Sequence, residues 1–236
     1  MELNRSSLQA LYRGFNTLFN SAFSNTPSDW RSVAMEVPSS TSEETYAWLG
    51  LTTRFREWLG DRVIQNLKSH GYTIKNKSFE STVGVNRDNI EDDQIGVYSP
   101  IFQQLGQDAK THPDELVFAL LKAGFDTACY DGQYFFDSDH PVVQADGTTT
   151  SVSNVQSGSS SPWFLLDASK AMRPVIFQKR RDYNFVAMDR DDDPNVFHKK
   201  ELLYGVDARV NVGFGLWQLA FGSKATLDVT NYAAAR

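Results

Sequence analysis

The chain has 236 residues, 41% hydrophobic and 22% charged, which is enough for one sizeable core or for a core with a protruding arm and a smaller lobe. Its net charge of −6 is the opposite of the Lys/Arg surplus that sequence-independent nucleic-acid binding requires, and its single cysteine, Cys129, excludes an internal disulfide and a Cys-based zinc framework. No apolar run reaches the roughly 18–20 residues of a membrane span, and Met1–Arg5 shows no apolar signal core, so the chain reads as one that folds in a reducing cytosol and is not secreted.

Residues 6–24 give the clearest helix, with Leu8, Leu11, Tyr12, Phe15, Leu18, Phe19, Ala22 and Phe23 on one stripe and Ser6 or Ser7 as the cap. That stripe packs either on its own domain or on a neighbouring subunit. Residues 24–29 break the helix. The Thr41–Ser42–Glu43–Glu44 start then predicts a second helix over 43–57. Residues 62–87 change to short alternating runs with turn chemistry at Gly71, Asn76–Lys77 and Gly84, which predicts a polar two-stranded excursion. Such a hairpin is marginal alone and leans on a partner or on its own sheet.

Residues 88–129 read as helices: an acidic start at Asp88–Asp93, a stretch Ile101–Lys110, and a new helix capped at Thr111 or His112 with Pro113 in its first turn. Residues 129–162 are loop-rich, and the Ser/Thr/Gly runs at 147–151 and 157–162 read as an exposed, mobile excursion. Strand candidates follow at 163–166, 175–178, 183–188, 196–197, 204–212 and 214–221, with a turn at Asp191–Asn195. Aromatics make up 13% of the chain, which fits a second buried surface beyond the core.

Motifs for nucleotide binding, serine hydrolysis or zinc proteolysis are absent from the sequence. Four constellations carry some chemistry. Asp131, Asp137, Asp139 and His140 are close enough in sequence to bind a divalent metal, or to form a turn network in which Asp side chains accept local backbone N–H groups. Asp189, Asp191, Asp192 and Asp193 resemble a calcium loop but lack its glycine and closing glutamate, and fit a solvated acidic turn. Cys129 and His140 are either a thiol–imidazole pair or a core thiol beside an unrelated imidazole. Lys179–Arg180–Arg181 is too short for a nucleic-acid groove and fits a strand end or an inter-subunit charge contact. No catalytic, cofactor-binding or metal residue is assigned, and no cofactor is expected.

Six segments in chain order carry a family resemblance: Trp58–Arg62, Asn76–Glu80, Asp88–Asp93, Asp131–Pro141, Pro174–Gln178, and Tyr204–Arg209 running into Gly215–Ala220. With them the chain resembles the major head subunit of Mu-like phages and prophages, the gpT family, from about residue 5 to residue 225. The resemblance implies an α+β Hong Kong 97-type capsid fold with an N-terminal arm, an extended loop, a spine helix, and peripheral and axial domains. On that basis residues 1–45 are the arm and 62–90 the extended two-stranded loop. Residues 91–128 hold the spine helix and a following helix, and 129–236 hold the peripheral sheet with the axial lobe. Many family members are longer, so a compact member with a reduced lobe or arm is expected.

The function implied is a non-enzymatic shell subunit that forms hexamers and pentamers of an icosahedral head around double-stranded DNA. It is assembled in the host cytoplasm and carried in the virion. Scaffold, portal and decoration proteins are further expected partners; DNA is touched only non-specifically, and no membrane is involved. The rival readings are an encapsulin-like cargo shell and a metal-dependent enzyme using 131–140.

Overall fold

The computed structural model describes residues 4–49, 71–92, 94–144, 148–190 and 192–236. They form two compact units that are not consecutive along the chain. The first holds residues 1–29, 76–115 and 179–210, and the second holds 30–75, 116–178 and 211–236.

In the first unit, helix α1 (Arg5–Asn25) starts at Asn4, whose side chain accepts from the Ser6 and Ser7 amides while the Ser7 hydroxyl closes the capping box. Asn4 therefore caps the helix, where Ser6 or Ser7 was expected; Ser7 occupies the reciprocal position three residues on. The stripe of Leu8, Leu11, Phe15 and Phe19 is buried against Phe102, Leu105, Phe185 and Tyr204 of the same chain. Of the two alternatives for this stripe, packing on its own domain is the one observed. Phe15 stacks on Phe102 at 4.1 Å and meets Tyr204 edge-on at 5.1 Å. Strand β4 (Lys77–Asn86) pairs antiparallel with β10 (Glu201–Phe214) from Lys77↔Val210 to Asn86↔Glu201, and β10 neighbours β9 (Val175–Met188). Helix α3 (Arg87–Glu91), capped by Asn86, and a 3₁₀ turn at Gln94–Tyr98 lead into helix α4 (Ser99–Ala123).

Several sequence expectations change here. The segment 77–86 pairs with β10, not with a strand from 62–75; residues 62–70 lie outside the described residues. Helix α4 is one helix with Pro113 inside it, where two helices divided at Thr111 were expected. An interior proline costs about 3 kcal/mol through its lost N–H and ring clash. The helix continues because it is anchored on both sides, by Phe102, Leu105 and Ala109 before the proline and by Val117 and Leu121 after it, all buried. The strand candidates 175–178 and 183–188 are one strand, β9. Residues 196–197 lie in helix α5 (Pro194–Lys199), because Asp193–Pro194 gives a helix start with proline in its first turn.

In the second unit, helix α2 (Trp30–Val33) precedes β1 (Ala34–Pro38). Strand β2 (Glu43–Thr45) pairs antiparallel with β3 (Thr73–Lys75), with Thr45 opposite Thr73. The helix expected over 43–57 is thus a strand at its start, and 50–57 lies outside the described residues. Its apparent capping box fails because the Glu44 carboxylate accepts from the Ser40 and Thr41 amides and the Ser39 hydroxyl, which closes a loop. Strands β5 (His140–Val143) and β6 (Thr149–Val152) form a hairpin, so most of the Ser/Thr run expected to be a mobile excursion is a paired strand. A three-stranded sheet has the order β7 (Val155–Gln156), β11 (Ala220–Ser223), β8 (Trp163–Leu166). Its neighbourhood is aromatic: Phe135 stacks on Phe214 at 4.3 Å and Phe136 on Phe164 at 5.3 Å. Helix α6 (Val229–Ala235) ends the described chain with no buried residue.

Candidate functional site

Among the described residues, one group of three unlike metal-type donors converges: Cys129, Asp131 and His140, all in the second unit, with donor atoms within 4.8 Å of one another. A tight loop makes this approach. Gly132 sits at φ +90°, a left-handed conformation suited to glycine, and an isolated bridge joins Ala128 to Tyr134. The loop therefore turns back on itself and places Asp131 beside His140, the first residue of β5.

The hydrogen bonds fix what this trio does. The Cys129 thiol donates to Asp131 Oδ1 at 3.1 Å, and the Gln133 amide donates to the same oxygen at 3.1 Å. Asp131 Oδ2 lies 2.8 Å from His140 Nδ1, and neither side chain has more than 5% exposure. His140 Nε2 faces Asn154 Oδ1 at 3.2 Å. The imidazole lies flat on Trp217, with ring centroids 3.9 Å apart and planes 9° apart. Burial raises the Asp131 carboxyl, but hydrogen bonds from His140, Cys129 and Gln133 outweigh this and hold it below the ordinary carboxylate value. Burial, and then the Asp131 hydrogen bond, push the Cys129 thiol far up, so it is no thiolate.

This sorts the sequence candidates. Cys129 donates to the carboxylate and not to the imidazole, so it is not arranged as a nucleophile with His140 as its base. Asp137 accepts from the Tyr134 and Ser138 amides, which is the turn network expected of this run. Asp139 is exposed beside Asp137, whose shared hydrogen bond and like charge raise it. Asp193 accepts from the Arg190 amide, and burial raises Asp189; Asp191 lies outside the described residues. Lys179, Arg180 and Arg181 sit within β9 and not at a strand end, where Lys179 pairs with Asp182 at 2.9 Å and Arg181 with Asp207. A groove of 830 Å³ in the first unit is lined by Arg5, Tyr12, Phe185, Asp189, Arg190 and Asp192, so two members of the acidic 189–193 run face it beside two arginines.

Asn154 is the residue that sequence reasoning missed. It is 4% exposed, accepts the Asp137 amide at 2.8 Å, and donates to the carbonyls of Phe135, Ala220 and Trp217. It lies between low-complexity runs, where an asparagine in Ser153–Asn154–Val155 gives no signal. The trio is thus part of a closed polar core element whose donors and acceptors face one another.

The architecture around it is the Hong Kong 97-type α+β fold of phage head proteins. Within that fold the chain belongs to the Mu-like prophage major head subunit family, gpT, whose family model matches residues 8–236. It is 45% identical to the major capsid protein of Escherichia phage Mu over 98% of this chain and 78% of that protein. It is also 45% identical to the Mu-like prophage FluMu major head subunit of Haemophilus influenzae, over 95% of this chain and 75% of that one. Among solved structures, the procapsid of bacteriophage JBD30 superposes with a TM-score of 0.86 at 47% identity, covering 98% of this chain and 79% of the other. The resemblance read from the six segments therefore holds, and the protein is a major head subunit of a Mu-like phage or prophage.

Proposed function

We propose that this subunit works by geometry and not by catalysis. Copies join into hexamers and pentamers through heterologous contacts that close into rings, and the rings build an icosahedral head around double-stranded DNA. The observation that carries this reading is the match of nearly the whole chain to a procapsid subunit. Assembly takes place in the host cytoplasm and the product is the virion shell. The net charge of −6 favours DNA that moves freely against the inner wall. Scaffold, portal and decoration proteins are the further partners.

In this reading α4 is the spine helix, and the extended loop, read from the sequence as 62–90, is moved to the connection from β2 to β3, residues 46–72, because 77–86 pairs with β10. What supports that assignment is the antiparallel pairing of Thr45 with Thr73, which brings the two ends of a long connection together at one base. The loop then reaches a neighbouring subunit, and many such contacts add up in a closed shell. Negative-stain imaging of the purified chain is the test. Shells, tubes or capsomers are expected, and a strict monomer at high concentration with crowding agent overturns the proposal.

A further inference from the structure

Within the first unit the sheet order is β9–β10–β4, so the part of β9 that belongs there, residues 179–188, is an edge strand. The neighbour of β9 on its other side, β1, has five residues and belongs with Val175–Gln178 to the second unit. A strand edge with unpaired amides and carbonyls is a template for another strand, and proteins normally blunt or cover it. Among the described residues of the first unit no strand covers this one. The 830 Å³ groove bordered by Arg5 and Tyr12 of α1 follows it, along the consecutive residues Phe185, Val186 and Ala187. The Phe185 carbonyl accepts from the Tyr12 hydroxyl at 3.5 Å, which is long for an O–H donor and is readily exchanged for a strand amide.

The outward face of this edge shows what fits it. Alternate residues are exposed from Arg180 through Asp182, Asn184, Val186, Met188 and Arg190 to Asp192. Val186 is 44% and Met188 47% exposed, so the middle of the row is apolar and its two ends are charged. Reversed about Val186, the row complements itself. Arg180 falls opposite Asp192, Asp182 opposite Arg190, Asn184 opposite Met188, and Val186 opposite Val186. Directly opposite residues of an antiparallel pair share a face, where unlike charges attract and like charges repel. A slip of two residues either way loses this match, because it sets Arg180 against Arg190 or Asp182 against Asp192. A slip of one residue turns the apolar and charged row to the wrong face. Two arginines balanced by two aspartates along the groove argue against a polyanion as the occupant and for a second copy of this chain.

We propose that the β9 edges of two copies pair antiparallel about a two-fold axis at Val186, so that the sheets of two first units become continuous. Residues 184–188 form the ladder, and the charge pairs hold its two ends. The contact is isologous, unlike the heterologous contacts that close a ring, and so it joins one capsomer to the next. It rests on the assembly reading above and gives that reading a surface, a partner and a register.

Cysteine cross-linking reads the register. Directly opposite Cα atoms of an antiparallel pair lie ~4.5–5.5 Å apart, within disulfide reach. Val186→Cys, as particles or as soluble chain at high concentration, should give a disulfide-linked dimer under mild oxidation. Asn184→Cys and Met188→Cys should each give none alone, since each would lie more than ~13 Å from its own copy, and should link when the two variants are mixed before assembly. The wild type, with Cys129 buried, should give no dimer. Arg180→Glu should slow dimer formation by Val186→Cys roughly fivefold by setting like charges opposite, and adding Asp192→Arg should restore it. Normal particles with no Val186→Cys dimer, Asn184→Cys dimers formed alone, or a charge reversal that Asp192→Arg does not restore would overturn the pairing and leave the assembly reading standing. A strict monomer with no cross-link overturns both.

Discussion

A thiol that donates into a buried carboxylate has neither the charge nor the access a nucleophile needs. Cys129 is 6% exposed and its thiol is pushed far above the ordinary range, first by burial. Iodoacetamide should therefore leave it almost unmodified in the folded protein and label it fully in urea, read by intact mass. Fast labelling of the native chain would contradict the geometry. His112 lies in the first unit. It sits between Phe79 and Tyr183, with Nδ1 2.5 Å from the Tyr183 hydroxyl, and burial lowers it below the ordinary imidazole value against an opposing pull from Glu115. A depressed histidine binds fewer protons folded than unfolded. Its contribution is thus complete above the unfolded value of ~6.5 and is lost as pH falls from there through the lowered folded value. Urea midpoints of the wild type should fall across that window more steeply than those of His112→Phe. Equal slopes would show that His112 is not desolvated.

At the scale of elements, the crossing of α1 and α4 rests on one atom that is missing. A Cβ on Gly106 would lie 2.4 Å from the Phe19 carbonyl oxygen, and backbone cannot swing aside as a long side chain does. Glycine costs a helix interior ~1 kcal/mol relative to alanine, so it is kept here for the close approach. Gly106→Ala should destabilise the protein by about 1–3 kcal/mol despite its better helix propensity, measured by urea unfolding. A stabilised variant would mean that the helices separate at little cost. Elements of this kind divide what sequence can show from what it cannot. The stripe from Leu8 to Phe19 was legible because one face of one helix carries it. The β4–β10 pairing was not, since residues more than a hundred apart in sequence meet only after folding. The run Asp131–His140 was legible as a candidate because its members are near neighbours in sequence. Two of its hydrogen-bonding and stacking partners, Asn154 and Trp217, lie in other segments, so the network that the structure closes around the run was not legible in its own residues. Pro113 misled for a related reason: local propensity marks it as a start, and packing on both sides of it decides otherwise.

At the scale of the whole molecule, the proposed loop and the strand that follows it have opposite roles, and a deletion can separate them. Strand β4 carries Val85, which is fully buried, and pairs along its whole length with β10. Removing 72–86 should therefore unfold the first unit, contrary to what the polar character of that stretch suggests. The base of the connection lies earlier. Thr45 and Thr73 are opposite each other, their hydroxyls 2.9 Å apart, and the Tyr46 amide donates to the Tyr72 carbonyl at 2.8 Å. Tyr46 also donates to Gln178, whose amide donates to the Ile74 carbonyl, so both sides of the base are tied down. A connection whose ends already meet can be shortened with little change in closure entropy, since doubling its length alters that entropy by only about 0.6 kcal/mol. Replacing residues 50–70 with a short Gly–Ser linker should leave the urea midpoint near that of the wild type. If the connection grips a neighbouring subunit, the same variant should fail to form particles in negative stain and should run as a monomer or small oligomer. Normal particles from a normally folded variant would remove the loop from the assembly mechanism and leave the shell contacts to α1, α4 and the sheets.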